Sequence, residues 1–94
     1  MRWSITYHKD VENDLKSLGS FAAKRILRAI DSKLTKAPLD FGHPLTGNLS
    51  PLRKLRVGDY RIVYQVTPHE VIVYVLTVGP RRDKEIYTAA SKRT

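Results

Sequence analysis

The stretch RKLRVGDYRIVYQVTPHEVIVYVLTVGP, residues 53–80, decides the fold. Its first part alternates basic and apolar side chains, and a period of two is that of a strand with one face buried. Gly58-Asp59 and Pro68-His69 are turn pairs, so the stretch divides into strands over residues 53–57, 60–67 and 70–78. In the second strand Tyr60, Ile62, Tyr64 and Val66 share one face, with Arg61, Val63, Gln65 and Thr67 on the other. The third, VIVYVLTV, is apolar on both faces, which predicts a central strand covered from each side. Gly79-Pro80 is expected to break it.

Upstream, WSITYH alternates and is rich in β-formers, predicting a first strand over residues 2–7. A helix follows over about residues 9–18, with Val11, Leu15 and Leu18 on one side. Gly19 stops it, and Ser20 is placed to cap a second helix over about residues 21–36. Ala23, Ile26, Leu27, Ile30 and Leu34 make its apolar stripe, with Lys24, Arg25, Arg28 and Lys33 in solvent. Pro38 ends it, residues 37–52 read as a Pro- and Gly-rich loop, and a short helix over about residues 83–91 closes the chain. The expected fold is α+β: an antiparallel-rich four-stranded sheet with an N-terminal helical hairpin on one face and a short C-terminal helix, as one domain over residues 1–94. The sheet's other face is expected to be open, with Lys54 or Arg56, Arg61 and Arg81 contributed to it from adjacent elements.

Seventeen Lys and Arg against nine acids give a net charge of +8 and a pI near 10.1. Residues 51–94 carry +5 of it. Such an excess favours a nucleic acid, an anionic membrane or an acidic protein as partner. No cysteine is present, which excludes a disulfide framework and a thiolate metal site. The N-terminal residues lack the apolar run of a signal peptide and no stretch approaches membrane-spanning length, so a cytoplasmic protein without membrane association is expected.

The residues also narrow the chemistry. There is no GxxxxGK[ST], no GxGxxG, and no His pair with an acid at metal-ligand spacing, so neither a cofactor nor a metal is implied. His8, His43 and His69 fall at a strand end, in a loop and in a turn, and read as surface or capping residues. What remains is Arg, Lys and Tyr. Guanidinium forks bind phosphate oxygens at two points and stabilise a phosphorane's extra charge. A lysine among cations, such as Lys54 between Arg53 and Arg56, is a candidate base. Tyr87, six residues after Arg81, offers a ring for stacking or a hydroxyl for proton transfer. Arg81 and Arg82 read equally well as helix-start surface.

The runs KLRVGDYRIVYQV and VIVYVLTVGPRRDKEIY, with the PLTGNL segment of the loop, resemble the RelE branch of the RelE/ParE toxin superfamily. The resemblance covers nearly the whole chain. It implies the toxin of a type II toxin–antitoxin module, a metal-independent endoribonuclease that cuts mRNA in the ribosomal A site by attack of a 2′-hydroxyl on the adjacent phosphate. Arg61 then matches the arginine that stabilises charge at the scissile phosphate. Arg81 matches the general acid to the leaving 5′-oxygen, Tyr87 the tyrosine that stacks on or orients the nucleotide, and Lys54 the candidate base. Arg53, Arg56 and Arg82 are the expected RNA- and phosphate-binding residues. The implied partners are the ribosome with its mRNA, and an acidic, partly disordered cognate antitoxin.

Two positions depart from the family pattern. Leu52 stands where its best-studied branch has a second lysine, and Pro80 replaces a frequently basic residue. Two other readings therefore stand beside the nuclease: a ParE-like inhibitor of DNA gyrase, and a catalytically silent module that binds RNA or only its antitoxin.

Overall fold

The computed structural model describes residues 2–80 and 85–94. Among them, strand β1 (Ser4–Tyr7) leads into helices α1 (Val11–Leu18) and α2 (Ser20–Ala29), the latter continued by a π-helical turn over Ile30–Leu34. After a loop come β2 (His43–Pro44), β3 (Arg53–Val57), β4 (Tyr60–Thr67), β5 (Ile72–Pro80) and α3 (Glu85–Arg93). The strands form one sheet in the order β1-β5-β4-β3-β2. All neighbours are antiparallel except β1 and β5, which run parallel.

The α+β architecture is as expected, and the bounds of β3 and β4 agree with the sequence reading to the residue. Several element ends shift by a residue or two, and three further details differ. The sheet has five strands, because His43 and Pro44 in the loop pair with Lys54 and Arg53 at the edge. Two residues are too few to show a period of two, so no pattern announced them. β5 runs on through Gly79 to Pro80. Finally, the helical segment after residue 20 is capped by Gly19 rather than by a Ser20 side chain, and its buried stripe is Ala22, Ile26, Ile30 and Leu34, spaced by four. Leu27 lies outside that stripe and is exposed.

The core has two parts, one on each side of the sheet. On the hairpin side, Val11, Ile26, Ile30 and Leu34 pack against Leu55, Val57, Ile62, Tyr64, Val73, Val75 and Val78. The other side, expected to be open, is partly covered: α3 lays Ile86 and Ala90 on Leu52, Val63 and Leu76. The doubly apolar character of β5 is thus explained, for it lies between β1 and β4 with helices on both faces. Gly79, opposite Arg61, sits under Ile86 and leaves room for α3 to approach. Among the described residues, no helix is long and apolar enough to cross a membrane.

Candidate functional site

Directly opposed residues of an antiparallel pair project from the same face of a sheet. Lys54 is opposite Val63 and Arg56 is opposite Arg61. Because Val63 lies under α3, Lys54, Arg56 and Arg61 share the face that α3 covers in part. The Cβ atoms of such opposed pairs stand about 4.5–5.5 Å apart, and like charges there destabilise the sheet. Two arginines at opposed positions are thus a local cost that an anion seated between them relieves, and Arg56 Nε meanwhile donates to the Gly58 carbonyl at 3.2 Å.

Tyr87 reaches this cluster from α3. The hairpin of β3 and β4 fixes Arg61, while Ile86 and Ala90 fix the helix that carries Tyr87. Arg61 Nη1 donates a hydrogen bond to the Tyr87 hydroxyl, and its Cζ lies 5.7 Å from the centroid of the Tyr87 ring. The hydroxyl therefore keeps its own proton for donation elsewhere. Arg61 Nε is buried and meets no acceptor among the described residues. A groove of about 270 Å³, lined by Asn48, Leu49, Tyr87, Thr88, Ser91 and Lys92, opens beside the tyrosine. A larger cleft of about 750 Å³ lies elsewhere, between the end of β1 and α3, and is lined by neither Arg61 nor Lys54.

The far end of α3 is anchored by Arg93. Its Nη1 and Nη2 donate to the two carboxylate oxygens of Asp14 at 2.6 and 3.2 Å, and Nη1 also donates to the Leu76 carbonyl at 2.9 Å. Asp14 in turn accepts from the Val78 backbone N–H at 3.3 Å and from Thr77 Oγ1 at 3.2 Å. The last residue of β5 paired to β1 is Val75. The Asp14–Arg93 pair thus takes up backbone groups of β5 that β1 is too short to reach. The Asp14 hydrogen bond, more than any other influence, pushes the Arg93 pKa still higher, so this anchor carries a permanent positive charge.

Of the expected site residues, Lys54, Arg56, Arg61 and Tyr87 come together. Arg81 and Arg82 lie outside the described residues. Arg53 stands apart, on the hairpin side of the sheet. Its Nη2 donates to the carbonyls of Leu39 and Gly42, both at 3.0 Å, which ties down the loop before β2. Leu52, at the position of the family's second lysine, is 2% exposed and packs under α3. Although its Pro- and Gly-rich surroundings predict a loop, β2 aligns His43 with Lys54 on the site face. Among the described residues no group of three or more His, Asp or Glu side chains is arranged to hold a metal ion.

Comparison with known proteins gives a consistent picture. The family model described as the ParE toxin of the type II toxin–antitoxin system, parDE, matches residues 5–85. A putative RelE-like toxin protein of Escherichia coli is 30% identical over 98 residues, covering 99% of this chain and 98% of that protein. The mRNA interferase toxin RelE of Escherichia coli K12 is 50% identical over 40 residues, which cover 43% of this chain and 42% of the relative. In that match the chain spans about two fifths of the relative's length. Among solved structures, an arginine-substituted Escherichia coli RelE toxin in complex with an antitoxin RelBc peptide superposes with a TM-score of 0.68. It is 27% identical, over 100% of this chain and 99% of that one.

Proposed function

The chain belongs to the ParE toxin family of type II toxin–antitoxin systems, in its RelE branch, and we propose from that premise that it is an mRNA endoribonuclease acting on the ribosome. The observation that carries this reading is the opposed pair Arg56–Arg61 with Lys54 beside it and the Tyr87 hydroxyl on Arg61. The cluster suits one phosphate of a polyanion. Guanidinium groups neutralise the charge that grows on the phosphorane oxygens, and the Tyr87 ring supports the neighbouring nucleotide.

In the reaction the 2′-oxygen attacks phosphorus, the bond to the 5′-oxygen breaks, and a 2′,3′-cyclic phosphate is left. Arg61 and Arg56 hold the phosphate, and Lys54, on the same face, serves it as cation or base. The resemblance gives Arg81 the part of acid to the leaving oxygen. The chain's own cations take the place a metal would fill. Such a site binds phosphate strongly and moves protons weakly, so it gains most from a ribosome that holds the codon in line.

The net charge of +8 fits an acidic antitoxin as partner. The segment that wraps this toxin is acidic and partly helical, and it covers the basic face beside α3. Binding that ignores salt and ignores reversal of charge at Arg56 overturns this assignment.

The test is cleavage of a short mRNA, free and then programmed in ribosomes with a vacant A site, by the wild type and by Arg61→Ala. Cuts within the A-site codon only on the ribosome, lost in the variant, are the expected result. No cutting in either setting refutes the nuclease, and inhibition of gyrase supercoiling in its place establishes the ParE-like activity.

A further inference from the structure

We propose that His43 is the general base of this cleavage, an assignment that rests on the nuclease reading above. In β2 His43 is directly opposite Lys54, so its side chain projects from the face that also carries Arg56 and Arg61. Opposed Cβ atoms stand about 4.5–5.5 Å apart. With strands about 4.8 Å from one another, His43 is two strand spacings from β4. From the sheet edge inward the face thus presents an imidazole, an ammonium and two guanidinium groups. A phosphate held between Arg56 and Arg61 thus has Lys54 and, one strand further out, His43 on the edge side of the same face.

The residue is also held in place. Arg53 donates to the carbonyl of Gly42, immediately before His43, at 3.0 Å. Gly42 has φ of 74° and lies against the Tyr64 hydroxyl and the Lys54 carbonyl, where a Cβ would collide. The hydroxyl is itself fixed by donating to the Pro38 carbonyl at 2.7 Å. The hairpin-side groups Arg53 and Tyr64 therefore set the backbone from which His43 projects on the opposite face. The imidazole itself is exposed and makes no hydrogen bond among the described residues.

The chemistry favours His43 over its neighbours. Guanidinium and ammonium groups ordinarily keep their protons far above neutral pH, whereas an imidazole ordinarily titrates within the neutral range. The chain has no lysine at position 52, where Leu52 is buried. His43 supplies the second nitrogen beside Lys54. In the step, the 2′-hydroxyl gives its proton to the imidazole as the oxygen–phosphorus bond forms. The bond to the 5′-oxygen breaks, and that oxygen takes a proton from the acid, the part assigned to Arg81. The imidazolium then returns its proton to water, and the acid regains one from it. On its own face His43 is followed inward by Lys54 and Arg56 and then by Arg61, which Tyr87 meets from α3; Arg53 and Tyr64 lie behind it, and Asp40 stands three residues before it in the loop.

Single-turnover cleavage on A-site-vacant ribosomes, followed from pH 5.5 to 9, tests the assignment with the wild type, His43→Gln, His43→Ala and Arg61→Ala. Circular dichroism verifies the fold of each variant. The wild-type rate is expected to rise with pH as the base loses its proton. His43→Gln should lose that rise and fall about 100-fold or more, and added imidazole should restore His43→Ala in part. If the wild type cuts, Arg61→Ala does not, and both His43 variants keep rate and profile, the base is another group while the nuclease stands. A lower rate with an unchanged pH profile and no response to imidazole likewise overturns the assignment. If the wild type never cuts, the nuclease and its base fall together.

Discussion

Truncating Leu52 to alanine tests whether α3 is fastened to the sheet as described. Leu52 is 2% exposed, so nearly all its side chain is withdrawn from water, among Val63, Leu76, Ile86 and Ala90. Three lost carbons at about 0.8 kcal/mol each give about 2.4 kcal/mol of transfer free energy. Core Leu→Ala changes cost about 2–5 kcal/mol in all, depending on how far the site collapses. This core is small and lies under one nine-residue helix, which settles easily, so about 2.5–3 kcal/mol is expected. For a domain of this size each kcal/mol moves Tm by about 4–8 °C, which predicts a fall of about 10–20 °C. Thermal and urea melts give the stability, and hydrogen exchange of residues 85–93 should show α3 opening before the rest of the sheet. Leu52→Lys, which installs the family's residue, should cost at least as much, because an ammonium is driven beneath α3, and it should slow RNA cleavage by loosening Tyr87. A loss below about 1 kcal/mol for alanine, or a stable lysine variant that cuts faster, would refute the placement of this residue in the core.

Other outcomes follow from the same geometry. Arg56→Gln removes one of two opposed cations and should leave stability unchanged or raise it by about 0.2–1 kcal/mol at low salt, while RNA affinity falls; a stability loss in urea melts argues against the repulsion. Asp14→Asn weakens the fork to Arg93, with an expected cost of about 1.5–3 kcal/mol, and should raise hydrogen exchange at the end of α3; unchanged exchange there removes the anchor's role. Gly42→Ala forces a Cβ onto the Tyr64 hydroxyl at positive φ and should destabilise by more than about 1 kcal/mol, as read from urea midpoints. Burial raises the pKa of Tyr64, only partly offset by Arg53. The folded state therefore keeps that proton when the unfolded chain has lost it, and stability should be full below about pH 10 and decline above it. Tyr64→Phe should flatten the decline above about pH 10, and Tyr7, also raised chiefly by burial, contributes to the remainder.

Strands β3 and β4 and the two-sided burial of β5 were legible along the chain, because alternation with period two and the Gly58-Asp59 turn are local signals. Parity along a strand is local as well, so the grouping of Lys54, Arg56 and Arg61 on one face was legible once the turn was placed. The same parity turns Arg53 the other way, although the resemblance counted it among the phosphate-binding residues. What each face meets, by contrast, was settled by packing between distant segments. The parallel pairing of β1 with β5 joins residues 68 apart in sequence, and nothing local encodes it. The stripe of α2 could be drawn through Leu27 or Ala22, and packing against the sheet chose Ala22. The placement of α3 turned Leu52 from a neighbour of the site into core. The fifth strand, two residues long, arose from loop closure held by Arg53 and Tyr64, and with it came the pairing of His43 with Lys54. Periodicity tells which side of a strand a residue takes, but which chain lies beside it depends on contacts between residues far apart in sequence.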